Sequence, residues 1–101
     1  MTQDKHIYGE VNSGTGLKKV FTAIRRDISN AGSRPSLTEL YRRAGYLITL
    51  TFAPSWEEKF GRKAGTLRRI GQEEFRKTAK KINSRAKQIG TEPNFDESWG
   101  K

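Results

Sequence analysis

Between Ser55 and Gly90 stand eleven cations, Lys59, Arg62, Lys63, Arg68, Arg69, Arg76, Lys77, Lys80, Lys81, Arg85 and Lys87, against four glutamates. Fixed cations at this density suit one chemistry above others. They neutralise a line of phosphates through charge-assisted hydrogen bonds and release the counterions held there. The acids also stop early: after Glu74 none appears until Glu92, while Arg76, Lys77, Lys80, Lys81, Arg85 and Lys87 follow. Such a segment repels itself unless anions lie against it. Lys18, Lys19, Arg25 and Arg26 form a second basic group. These ten residues are the expected contacts of a small, non-catalytic nucleic-acid-binding protein, of the kind a DNA-binding regulator uses. The partner is DNA or RNA held by its phosphate backbone, with no readout of particular bases.

Other chemistries find little support. Cysteine is absent, so disulfides, thiolate zinc sites and cysteine nucleophiles are excluded. His6 is the one histidine and has no second nitrogen ligand, so no metal site is expected, and nothing calls for another cofactor. The stretch Gly9–Gly16 is superficially like a phosphate loop, yet Thr15-Gly16 follows Gly14 where that loop needs Lys and then Ser or Thr. What remains there is the set of free amides at a helix start beside Lys18 and Lys19, which suits a single phosphate. The carboxylates fit helix support, with Glu58 and Arg62, and Glu73 and Lys77, at i, i+4 spacing. No serine has an identifiable base. The protein is therefore expected not to be an enzyme.

The elements that must position the cations follow from apolar spacing. Leu17, Val20, Phe21, Ile24 and Ile28 fall on one helical face and predict a helix over 17–30, stopped by Asn30-Ala31-Gly32. Ser36 and Glu39 have the spacing of a capping box. They open a second helix, 36–52, whose buried stripe is Leu37, Leu40, Tyr41 and Ala44. Tyr46–Phe52 has the residue types of a strand as well. Helix is favoured because a strand would find a partner only in the short Ile7–Val11 patch. Pro54 ends that element. Ser55 and Glu58 then open one long helix reaching Ile89, with Gly90 as its stop. Its apolar positions are Trp56, Phe60, Ala64, Leu67 and Ile70, followed by Phe75, Ala79, Ile82, Ala86 and Ile89 at the 4-3-4-3 spacing of a heptad seam. Gly61, Gly65 and Gly71 weaken the first half of this helix, and a kink or a break into two helices is expected near Gly71.

The predicted fold is thus all-α, a single small helical domain over 17–90. Two shorter helices pack on the first half of a long basic C-terminal helix, between a flexible arm, 1–16, and an acidic-aromatic tail, 91–101. The 33 % hydrophobic content implies a thin core or one completed by a partner. The 75–89 seam, projecting beyond the shorter helices, predicts a homodimer. Ala79 and Ala86 make its apolar face shallow, which suits another helix better than a membrane surface. No segment is long and apolar enough to span a bilayer, so a cytoplasmic location is expected. Phe95 and Trp99 in the tail either dock on the domain or bind a partner. The competing function is accordingly a protein-interaction module, a small adaptor that meets an acidic protein through the basic helix or through these two aromatics.

Ser36–Tyr46 also resembles the first helix and turn of a helix-turn-helix, through Leu37, Glu39-Leu40, Ala44 and Gly45. Tyr41 and Pro54 depart from that pattern. Tyr41 stands where the motif prefers a small residue, and Pro54 interrupts the place of a recognition helix.

Overall fold

The apolar face that begins at Leu17 builds the first of four helices among the described residues. In a computed structural model, which describes residues 14–97, α1 spans Gly14–Ile28, α2 Arg34–Leu50, α3 Pro54–Phe60 and α4 Lys63–Gln88. The described residues contain no strand, and the fold is all-α. His6, the Ile7–Val11 patch and Trp99 lie outside the described residues. Thr15-Gly16, expected in the arm, instead form the first turn of α1.

Each helix start is decided by backbone amides seeking acceptors. Ser33, not Ser36, caps α2: its hydroxyl accepts from the Ser36 amide, and Pro35 sits in the first turn, where a missing N–H is harmless. Glu39 is thereby left to pair with Arg43 at 3.3 Å. Tyr46–Leu50 is helical because Leu47 and Ile48 extend the buried stripe of Leu37, Leu40 and Ala44. Gly45 lies inside that continuous helix, so the turn of a helix-turn-helix is absent. At α3 the cap is Ala53, with Pro54 at the first position and no side-chain cap, so the Ser55–Glu58 box does not form.

The expected single helix from Ser55 to Ile89 is broken, and at a different glycine. Gly61 takes φ 55°, a left-handed conformation open to glycine at little strain, and its amide bonds Glu57 O at 2.8 Å to finish α3. Helix α4 runs unbroken through Gly71. That glycine is a buried residue within α4, chosen for space, because a Cβ there would meet Ile48 Cδ1 at 3.2 Å and Leu17 Cδ2 and Thr51 Cγ2 at 3.6 Å. At the far end Gly90 N–H bonds Lys87 O and Thr91 N–H bonds Ala86 O, the paired bonds of a Schellman stop.

These contacts also fix the helix directions. Leu17 faces Gly71, Arg25 reaches Thr78 and Arg85 reaches Ala31, so α1 runs parallel to α4. Thr51 meets Arg68, Ile48 meets Gly71 and Arg34 meets Thr91, so α2 runs antiparallel to it. Phe75, Ala79, Ile82 and Ala86 are buried in one cluster with Leu17, Phe21, Ile24 and Ile28 of α1 and Leu37, Leu40, Ala44 and Ile48 of α2. The shorter helices therefore pack on the second half of the long helix, not the first. The seam does not project, and the reason for expecting a second copy on it disappears.

The first half of α4 carries a smaller cluster, in which Trp56 packs with Ala64, Leu67, Phe60 and Ile70. Arg68 fastens it. Its guanidinium donates to the Thr51 carbonyl, pairs with Glu57 at 2.7 Å and lies over the Phe52 ring. Two substitutions separate packing from propensity. Gly71→Val is expected to destabilise by about 1–3 kcal/mol through overpacking. Gly65→Ala, where an added Cβ meets nothing within 4 Å, is expected to stabilise by about 0.5–1 kcal/mol. Urea unfolding followed by circular dichroism measures both.

Candidate functional site

With the seam facing inward, the two edges of α4 carry different partners. Glu74, Lys77, Lys81 and Arg85 succeed one another at 3-4-4 spacing along the edge beside α1. Arg76, Lys80, Asn83 and Lys87 succeed one another at 4-3-4 spacing along the opposite edge, beside α2 and the tail. Lys18, Thr22 and Arg25 form the matching edge of α1, since Arg25 reaches across to α4. Lys19 and Arg26 lie one step further round, toward solvent.

Two of the ten expected contacts hold the fold together. Arg25 Nη2 stands 2.9 Å from Glu74 Oε1, and the same guanidinium donates to Thr78 Oγ1 at 3.1 Å and to Thr22 Oγ1 at 3.2 Å. The Glu74 side chain is only 5 % exposed, so this is a buried carboxylate met by one guanidinium nitrogen as an ion pair. Oε1 has no hydrogen bond among the described residues, and the guanidinium is held in place by Thr22 and Thr78. Lys77 adds a second cation at 3.4 Å, taking Glu74 in place of the expected Glu73. Arg85 Nε donates to the Ala31 carbonyl at 2.8 Å, satisfying the backbone just past the end of α1. The sequence did carry a signal for Glu74: Leu67, Gly71, Glu74 and Thr78 keep 4-3-4 spacing along the buried flank of α4.

The other expected contacts remain at the surface. Lys77 is exposed while paired with Glu74. Lys18, Lys19, Arg26, Arg76, Lys80, Lys81 and Lys87 are exposed, and within the described residues none of these seven forms an ion pair. Outward-facing α4 residues from Phe75 to Gln88 include no acid. This surface lacks the convergent acid–base groups of a reaction centre, and among the described residues no three His, Asp or Glu cluster as metal ligands would. No described helix is long and apolar enough to cross a membrane.

Of the two tail aromatics, Phe95 is docked on the chain itself. Its ring lies 5.0 Å from Tyr41 and 4.7 Å from the Arg34 guanidinium, measured between centres. Asn83 clamps the backbone at the same point, donating to Phe95 O at 2.8 Å and accepting from Phe95 N at 3.0 Å. Arg34 bonds Glu92 O and Asn94 Oδ1, and Tyr41 donates to Asp96 O. Burial, with the nearby Asp96 charge added, raises the Tyr41 pKa above its usual 10.0. Arg34, Tyr41 and Asn83 escaped the sequence reading because their partners lie more than ten residues away in an irregular segment. No family model, curated protein or solved structure matches this chain.

The division between structural and surface cations is testable. Arg25→Ala leaves the buried Glu74 carboxylate with the exposed Lys77 as its one cation among the described residues, and is expected to destabilise the protein by about 3 kcal/mol. Arg26→Ala, one residue on, should leave the thermal midpoint unchanged. Differential scanning calorimetry of the two variants checks the contrast.

Proposed function

We propose that the protein binds nucleic acid through its phosphate backbone, without catalysis, as a small cytoplasmic regulator or accessory protein would. The contact residues are Arg76, Lys77, Lys80, Lys81 and Lys87 of α4 with Lys18, Lys19 and Arg26 of α1. One observation carries this reading. The apolar side of α4 is consumed by the core, and the outward side that remains beyond Phe75 presents cations with no acid among them.

The dimensions suit the partner. Arg76 to Lys87 spans eleven residues of helix, about 16 Å, over which one strand of a B-form duplex presents roughly five phosphates. Lysines and exposed arginines on two helices give sequence-independent contacts, since phosphates carry no base identity. DNA and RNA both fit this chemistry.

Fluorescence anisotropy with a labelled 20-mer, as duplex DNA and as single-stranded RNA, tests the proposal. Micromolar or tighter binding is expected at 50 mM salt. The affinity should fall by about 10²–10³ at 200 mM, corresponding to four or five released counterions. Lys80→Glu with Lys81→Glu should weaken binding at least tenfold. Absence of binding to both probes at 50 mM salt overturns the proposal.

A further inference from the structure

The tail Thr91–Glu97 sits beside one of the two basic edges of α4 and carries Glu92, Asp96 and Glu97. Its anchor is Asn83, which lies among the cations of that edge, three residues after Lys80 and four before Lys87. Residues at those separations are neighbours on a helix surface. Asn83 Nδ2 also donates to Glu97 Oε2 at 2.8 Å, which brings that carboxylate within about a helical turn of both lysines. The edge beside α1 carries Glu74, a buried carboxylate already paired with Arg25 and Lys77, and the tail is held on the other side, by Arg34, Tyr41 and Asn83.

How the tail is held matters as much as where. Its bonds to Arg34, Tyr41 and Asn83 include the backbone carbonyls of Glu92, Asp96 and Phe95 and the Thr91, Asn94 and Glu97 side chains, and its anchor ring is Phe95. Glu92 and Glu97 form no ion pair with a described residue. Hydrogen bonds and ring packing therefore do the docking, and the Glu97 carboxylate, held by Asn83 between Lys80 and Lys87 in sequence, keeps its charge on that edge. Phe95 is itself only partly buried, so the docked tail covers little apolar area and is held mainly by hydrogen bonds that a polyanion-bound state can exchange for water.

We propose that this tail is a tethered competitor for the Arg76–Lys80–Lys87 edge. While docked it lowers the positive potential there, and a polyanion occupying that edge displaces it. The proposal rests on the nucleic-acid reading above and adds regulation of the same surface. The edge formed by Lys77, Lys81 and Lys18 takes the first phosphates. The tail-side edge is engaged after Phe95 leaves.

The test compares the full-length protein with the triple variant Glu92→Gln, Asp96→Asn and Glu97→Gln, which keeps Phe95 and an acceptor for Asn83. For labelled 20-mer duplex DNA at 50 mM salt the variant should bind about fivefold tighter, a gain that fades as salt screens the carboxylates. Adding Lys80→Gln and Lys87→Gln to the variant should remove that gain. In the unaltered protein, saturating duplex should accelerate hydrogen exchange of the Phe95 amide, which otherwise bonds Asn83 Oδ1. If the unaltered protein binds but the triple variant differs by less than twofold and Phe95 protection is unchanged, the competitor is refuted while the binding function stands. If neither protein binds, both proposals fall.

Discussion

Burial of Phe75, Ala79, Ile82 and Ala86 between α1 and α2 is the constraint on which the rest of the structure depends. It sets α1 parallel and α2 antiparallel to α4, because each shorter helix must lay its apolar stripe against the same four positions. The alanines in that seam keep the three helix axes close, and Gly71 extends the close approach by one turn. Once this face is used, every remaining side chain of α4 beyond Phe75 lies at a boundary with a neighbour or in solvent. The cationic surface is thus a geometric consequence of the packing among the described residues.

The cations divide by type as well as by place. Those in structural service are chiefly arginines: Arg25 on Glu74 and Thr78, Arg34 on the tail, Arg68 on Thr51 and Glu57, Arg85 on Ala31, with Lys77 reaching Glu74 from the surface. A planar guanidinium offers several donors in fixed directions and suits carbonyls at helix ends and irregular segments. An ammonium is a compact, strongly hydrated charge and stays outside. Lys18, Lys19, Lys80, Lys81 and Lys87 are accordingly exposed, joined by Arg26 and Arg76. A net charge of +9 overstates the basic surface, because part of it is spent inside the fold.

The helices themselves were legible in the sequence, since a 3.6-residue apolar period with bounding prolines and glycines leaves few alternatives. The period at Phe75–Ile89 correctly marked a seam. A period identifies a face, however, and carries no information on whether its partner belongs to the same chain. That is why the seam suggested a second copy when α1 and α2 already fill it. Capping signals were misplaced by three residues at Ser36, because Ser33 has the same side chain and stands nearer the end of α1. Local spacing could not reveal Arg34, Tyr41 or Asn83 as tail anchors, for their partners become neighbours only after the bundle has formed. The exposed lysines were legible as a surface because lysine is rarely buried without a partner.

The inward seam is tested most directly by isotope-filtered nuclear Overhauser spectroscopy on Tyr41 and Phe75, whose ring centres lie 5.7 Å apart across α2 and α4. One sample is uniformly labelled, and a second mixes labelled with unlabelled chains. A Tyr41–Phe75 cross-peak is expected in the labelled protein, with no filtered signal between chains in the mixture. A cross-peak that survives the filter would place the two rings in different molecules. It would contradict the single-chain core from which the outward cationic face follows.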